Sequence, residues 1–125
     1  FALIDKRRPT HNVAKVVNLI GDLNNKQVFI IDDMIDTAGT ICNAAVTAID
    51  NGATSVIAVA THPVLSGKAI ERLEESPIEK VIVSDTIEML EDKIFNKLEI
   101  ISISKIFAET IKRINSGESV SSLFK

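Results

Sequence analysis

The sequence predicts an α/β fold, a doubly wound and mainly parallel sheet with helices on both faces. Three observations lead there. Short runs rich in Val and Ile recur without polar alternation, at Val28-Phe29-Ile30-Ile31, Val56-Ile57-Ala58-Val59-Ala60, Val81-Ile82-Val83 and Ile100-Ile101-Ser102-Ile103. Continuous apolar runs of this kind read as strands covered on both faces, the situation of a parallel sheet between helix layers. Apolar stripes at helical spacing fall between those runs, giving the strand-helix alternation of α/β proteins. Acids, hydroxyls and small residues then gather just after Ile31, at the strand end where open α/β sheets bind ligands.

Taken in order, Phe1-Ala2-Leu3-Ile4 opens as an apolar strand. With no partner before it, that strand would expose unpaired backbone groups, so the chain is expected to begin inside a larger protein whose upstream structure pairs with it or covers it. Lys6 to Asn12 reads as a polar, basic loop, and Gly21-Asp22-Leu23-Asn24-Asn25-Lys26 as a turn-rich link into the Val28 strand. Ile41, Ala44, Ala45, Ala48 and Ile49 form one helical stripe that stops at Asn51-Gly52. Ala69, Ile70 and Leu73 set a second helix after Ser66-Gly67, and Phe107, Ile111 and Ile114 set a third before Ser116-Gly117. The whole is read as one domain, residues 1–125, closing in a tail at 117–125.

Composition narrows the partners. A chain of 125 residues with 46% apolar content suffices for one domain with a core and is short for two. Its formal charge of -3 supplies no basic field to hold nucleic acid or an anionic membrane surface. No stretch approaches the roughly 20 apolar residues that span a bilayer. Cys42 is the single cysteine, which rules out an internal disulfide framework and suits a reducing compartment; the expected location is the cytoplasm. Cys42 shares the apolar side of its helix with Ala45 and Ile49 and reads as core. His62 has no second His, Cys or acid at metal-ligand spacing and reads as a strand-end residue.

The informative segment runs from Val28 through Asp32-Asp33-Met34-Ile35-Asp36-Thr37-Ala38-Gly39-Thr40. Small residues at Ala38 and Gly39 let backbone N–H groups approach an anion, Thr37 and Thr40 add hydroxyls, and the following helix presents its positive end. A phosphate suits that loop. The acids suit the rest of the same ligand, since carboxylates accept hydrogen bonds from vicinal hydroxyls and can help hold a magnesium-bound sugar. The plainer alternative is that Asp36 or Thr37 caps the helix, the commonest task of those residues before a helix start.

This segment resembles the signature of type I phosphoribosyltransferase-fold proteins: hydrophobic residues, two acids, two apolar residues, then Asp-Thr-Gly/Ala-Gly-Thr. The resemblance implies that Asp32 and Asp33 contact ribose hydroxyls while Asp36, Thr37, Ala38, Gly39 and Thr40 wrap a 5-phosphate. Four further stretches are similar to the ribose-phosphate pyrophosphokinase family: Phe1 to Pro9, Asn12 to Gly21, Thr61-His62-Pro63-Val64-Leu65-Ser66-Gly67, and Gly117 to Phe124. The resemblance covers essentially the whole chain and implies the C-terminal part of a two-domain enzyme. Such an enzyme transfers the diphosphoryl group of ATP to the C1 hydroxyl of ribose 5-phosphate with Mg2+, giving phosphoribosyl pyrophosphate and AMP.

By the same resemblance Lys6 and Arg8 act on the transferred group from a flexible loop. Cations that neutralise charge spreading over phosphoryl oxygens are what this chemistry needs. Ser119 and Ser121 match the family's regulatory phosphate or nucleotide site at a subunit contact, implying a homo-oligomer, a hexamer in the family. The family's ATP residues, magnesium-binding His and pyrophosphate loop lie upstream of Phe1, so no metal ligand is assignable here. Lys68 stands where many relatives have Pro, and Ser84-Asp85-Thr86 where many have Thr-Asn-Thr. Two other functions compete: a phosphoribosyltransferase on the same fold, and a non-catalytic synthetase-like subunit that only binds and regulates. Intact Lys6, Arg8 and the acidic phosphate loop argue against the second.

Overall fold

The computed structural model describes residues 3–7 and 16–124, with side chains described from residue 21 onward. Its strands are β1 (Leu3–Arg7), β2 (Val16–Ile20), β3 (Gln27–Ile35), β4 (Ser55–Pro63), β5 (Ile78–Ser84) and β6 (Leu98–Ile101). The helices are α1 (Gly39–Asp50), α2 (Ala69–Glu75) and α3 (Ser104–Ser116), and short 3-10 turns occupy Glu91–Lys93 and Val120–Phe124.

Strands β3 to β6 form one parallel sheet in the order β3-β4-β5-β6. That is the expected α/β architecture, with α1 linking β3 to β4 and α2 linking β4 to β5. Because the order advances in one direction, right-handed crossovers lay both helices on the same face. The side chains agree. Val56, Ala58, Ala60, Val81 and Val83 are buried on that face with Ile41, Ala45 and Ala48 of α1 and Ala69 and Leu73 of α2. Alanines on both sides let α1 approach the strands closely. On the opposite face Phe29 and Ile31 are 54% and 78% exposed, so among the described residues the continuous apolar runs are covered on one side only.

The first strand departs from expectation. β1 pairs antiparallel with β2, Leu3 opposite Ile20 and Arg7 opposite Val16, so its partner lies downstream in a segment not read as a strand. Lys6, placed in a loop by its charge, lies within β1 opposite Val17, because backbone pairing does not depend on the side chain being apolar. The strand expected at Ile100–Ile103 ends earlier, at Ile101, where the Ile103 N–H turns to donate to Asp85 Oδ1 at 2.9 Å.

Helix α2 has only seven residues, too short to hold itself together in water. Tertiary contacts fix it. Leu73 is fully buried, and Lys97 Nζ donates to the carbonyls of Leu73, Glu74 and Ser76 at 3.0, 2.8 and 2.8 Å. A cation on the last carbonyls of a helix satisfies orphan acceptors and opposes the negative end of the dipole. Lys93 Nζ similarly donates to Val64 O at 2.8 Å, fixing the connection that leads into α2.

Candidate functional site

Strand β3 runs further than its apolar run. Asp32 pairs with Ala60, Met34 with His62 and Ile35 with Pro63, so parallel pairing carries the acids into the sheet end and the turn itself is compressed to 36–38. Asp32 and Asp33 are exposed there, and the Asp33 N–H donates to Asp32 Oδ1 at 2.9 Å.

Ala38 makes the turn. It adopts φ 61° and ψ -2°, the left-handed region, with its methyl buried against the core. Such a conformation costs a non-glycine residue about 1–2 kcal/mol and persists where surroundings over-determine it. The first bond of α1 runs from Cys42 N–H to Ala38 O at 3.0 Å. The N–H groups of Ala38, Gly39 and Ile41 precede it and have no partner within the helix. The N-cap position belongs to Ala38, which makes no side-chain cap bond, rather than to Asp36 or Thr37.

Those two residues are held by other contacts. The Ser66 hydroxyl donates to Asp36 Oδ1, and the Ser66 N–H donates to Asp36 O at 3.0 Å, beside a Leu65 N–H to Ile35 O bond at 3.0 Å. Arg72 Nη1 of α2 donates to Thr37 O at 2.7 Å. Residues 32–41 together line an open cavity of about 310 Å³. Every residue assigned to the sugar phosphate, Asp32, Asp33, Asp36, Thr37, Ala38, Gly39 and Thr40, lines that cavity. A Cβ added at Gly39 would meet nothing closer than 3.9 Å, so protein packing does not demand glycine there.

With this geometry in hand, residues 4–125 match the model of the phosphoribosyl synthetase-associated domain. The chain belongs to that family. It is 54% identical over 124 residues to ribose-phosphate pyrophosphokinase of Caldanaerobacter subterraneus subsp. tengcongensis, covering 99% of this chain and 39% of that protein. It is 52% identical over 125 residues to the Listeria ivanovii protein of the same name, covering 100% of this chain and 39% of the relative. Among solved structures it resembles phosphoribosylpyrophosphate synthetase from Mycobacterium smegmatis, with a TM-score of 0.83 at 39% identity, covering 93% of this chain and 37% of that one. The chain thus spans about two-fifths of the length of these relatives.

Other residues singled out in the sequence fall elsewhere. Lys6 is placed by backbone only, within β1, and Arg8 lies outside the described residues. Ser119 and Ser121 bring their hydroxyls to 2.9 Å of each other. The tail folds back because Gly117, at φ 74°, ends α3 with Glu118 N–H on Arg113 O at 2.9 Å. From there Arg113 Nη1 donates to Ser119 O at 3.0 Å and to the Ser122 hydroxyl. His62, at the end of β4, has Nδ1 2.9 Å from Thr86 Oγ1, and Thr86 in turn donates to Thr61 O at 2.9 Å. Asp85 is engaged internally: the Ser102 hydroxyl and then the Ile103 N–H hold its carboxyl below the usual carboxylate range. Cys42 is half-buried, its Sγ donates to Arg72 O at 3.5 Å, and burial pushes its thiol up, away from nucleophilic use.

Two residues of the site escaped sequence reading. Ser66 was read as preceding the second helix and as part of the family-like Thr61–Gly67 stretch, with no site role, and Arg72 sits on an exposed helix face among Glu71, Glu74 and Glu75. Each acts on a residue 30 or more positions away, a separation that leaves no local signal.

Proposed function

We propose that this chain is part of a ribose-phosphate diphosphokinase and that its residue 32–41 cavity holds ribose 5-phosphate. The whole enzyme transfers the diphosphoryl group of ATP to the C1 hydroxyl of the sugar phosphate, giving phosphoribosyl pyrophosphate and AMP for nucleotide biosynthesis in the cytoplasm. The observation that carries the reading is the turn at Ala38. It sets the start of α1, with the backbone of Ala38 and Gly39, at a cavity rimmed by acids, the complement of a phosphate joined to a polyol. The names of the relatives support the same substrates.

In this reading the 5-phosphate sits on the amides from Ala38 onward and the hydroxyls of Thr37 and Thr40, and the ribose hydroxyls donate to Asp32 and Asp33. Asp36 borders the phosphate from its tether on Ser66. Lys6 and Arg8 neutralise the transferring group. Among the described residues no three His, Cys, Asp or Glu side chains converge as metal ligands. Magnesium therefore fits as an ion held mostly by water and substrate oxygens, with one or two of these carboxylates contributing. Ser119 and Ser121 serve a regulatory phosphate or nucleotide at a subunit contact. The exposed stripe of Ile106, Phe107, Ile111 and Ile114 on α3 supports a homo-oligomer, since an amphipathic helix stabilises by burying that stripe. Among the described residues no helix is long and apolar enough to cross a membrane.

The test is calorimetric titration of this 125-residue chain with ribose 5-phosphate and with ribose, beside an assay for AMP release from ATP. Expected are weak binding of the sugar phosphate, much weaker binding of ribose, and no AMP. Losing in-line positioning of the second substrate can alone cost about 7–11 kcal/mol of barrier. Absence of ribose 5-phosphate binding would retire the cavity assignment. Robust AMP release would place the ATP site within these residues. Base-dependent pyrophosphate release by the longer protein, without ATP-dependent AMP formation, would make it a phosphoribosyltransferase instead.

A further inference from the structure

Arg72 is remote in sequence from the cavity and touches none of the ligand groups assigned above, yet its guanidinium contacts the phosphate turn. Nη1 donates to the carbonyl oxygen of Thr37 at 2.7 Å. Thr37 and Ala38 share a peptide, and in a trans peptide the C=O and the next N–H point to opposite sides of the plane. Anchoring the Thr37 carbonyl on α2 therefore turns the Ala38 N–H away from α2, in a turn whose residues line the cavity. The same peptide enters the left-handed conformation of Ala38, which local sterics disfavour and an outside contact must sustain.

A second observation concerns charge. Among the described residues no carboxylate pairs with Arg72; Glu71 beside it pairs with Lys68 instead, at 3.3 Å. The uncompensated cation stands near the start of α1, its Nη1 3.9 Å from where a Cβ on Gly39 would lie. Its field adds to the positive end of the helix.

We propose that Arg72 is the positioning residue of the phosphate turn: it holds the Thr37–Ala38 peptide in the anion-binding orientation and acts on the ligand through that peptide. The identity of the ligand rests on the function proposed above. The orientation of the turn does not.

The experiment uses the 125-residue chain and its Arg72→Ala, Arg72→Lys and Arg72→Gln variants. Backbone amide spectra of the ligand-free proteins read the Ala38 and Gly39 N–H groups, titration with ribose 5-phosphate reads affinity, and thermal melting controls for folding. Arg72→Ala is expected to shift both amide signals and weaken ribose 5-phosphate binding roughly 10- to 100-fold, the loss of one charge-assisted bond. Arg72→Lys, which keeps a charged donor, is expected to restore most of both. Arg72→Gln separates donor from charge: parent-like amide signals with weaker binding assign the remainder to the field. Unmoved Ala38 and Gly39 signals in a folded Arg72→Ala protein would overturn the proposal, as would equal damage in the Ala and Lys variants. Should Arg72→Ala fail to fold, the amide signals of the Lys and Gln variants decide by the same criteria. A parent chain that binds no ribose 5-phosphate refutes the cavity's assignment, while the amide signals still decide the role of Arg72.

Discussion

Replacing Gly39 by alanine should separate the ligand from the fold. Gly39 opens the first turn of α1 and lines the cavity. A methyl on its Cα would lie 3.9 Å from Arg72 Nη1 and 4.0 Å from Thr37 Oγ1, ordinary contact distances, so no protein atom needs to move. Helix propensity favours the change, Ala exceeding Gly by up to about 1 kcal/mol within a helix and by less at its first position. Stability should hold or rise slightly. A methyl at Gly39 would instead take up part of the open space beside the backbone of the cavity lining, which a phosphate drawn onto that backbone must occupy. Losing one charge-assisted hydrogen bond removes about 1.5–3 kcal/mol, or roughly 10- to 150-fold in affinity. Gly39→Val should lose more.

Thermal melting and calorimetric titration with ribose 5-phosphate, run on the same preparations, read the two halves separately. A melting temperature at or above the parent's with affinity down tenfold or more is the expected result. Equal affinity in a folded Gly39→Ala protein would put the phosphate elsewhere, and a sharp drop in melting temperature would refute the packing argument.

Three further outcomes follow from the structure and a fourth from the proposed function. Leu73→Ala should cost about 2.7–5 kcal/mol in chemical denaturation, because its side chain is fully buried beneath α2. Gly117→Ala should destabilise by about 1 kcal/mol from its positive φ alone, since no atom lies within 4 Å of the added methyl. The carboxyl of Asp85 is lowered in the folded state, so its contribution is present at neutral pH and is lost as pH falls through the ordinary carboxylate value, about 3.9, toward the lower folded one. Asp85→Asn should therefore lessen the fall in denaturation midpoint between neutral pH and pH of about 3. In the longer protein, Lys6→Ala should cut turnover by orders of magnitude with little change in substrate binding, as measured by steady-state kinetics beside direct titration.

What the sequence revealed follows from the range of the interactions involved. Val and Ile runs located β3 to β6, and helical stripes located α1 to α3, because both patterns are local in the chain; the stripe of α3 is legible although Phe107, Ile111 and Ile114 are exposed. Strand ends were less legible. Asp32 and Asp33 interrupt the apolar pattern, yet parallel pairing with β4 carries β3 past them to Ile35. β2 went unread because Asn18 breaks a run whose partner is the distant β1. The described residues cover one face of the sheet, where Val56, Ala58 and Val81 are buried, and leave Phe29 and Ile31 exposed on the other. In the site itself, the loop residues declared themselves as a contiguous string, while Ser66 and Arg72 carry no local mark of their task.

That division also bears on how the turn at Ala38 is maintained. A left-handed alanine flanked by tethered carbonyls would relax if the connection from β4 into α2 moved, and beside its local backbone bonds that connection is held by tertiary ones. Ser66 ties down both the carbonyl and the carboxylate of Asp36. Lys93 fixes Val64, Leu73 seats α2 in the core, and Lys97 closes its last carbonyls. If the turn binds an anion as proposed, the cost of ordering it is thereby met during folding rather than at binding, which is how preorganisation raises affinity without new ligand contacts. Lys97 lies far along the chain from the cavity, but its loss should loosen α2 and with it Arg72. Lys97→Met keeps the apolar stem and removes the donor, so it should weaken ribose 5-phosphate binding in step with the Ala38 amide shift. Binding lost without any change at Ala38 would sever that chain of restraint.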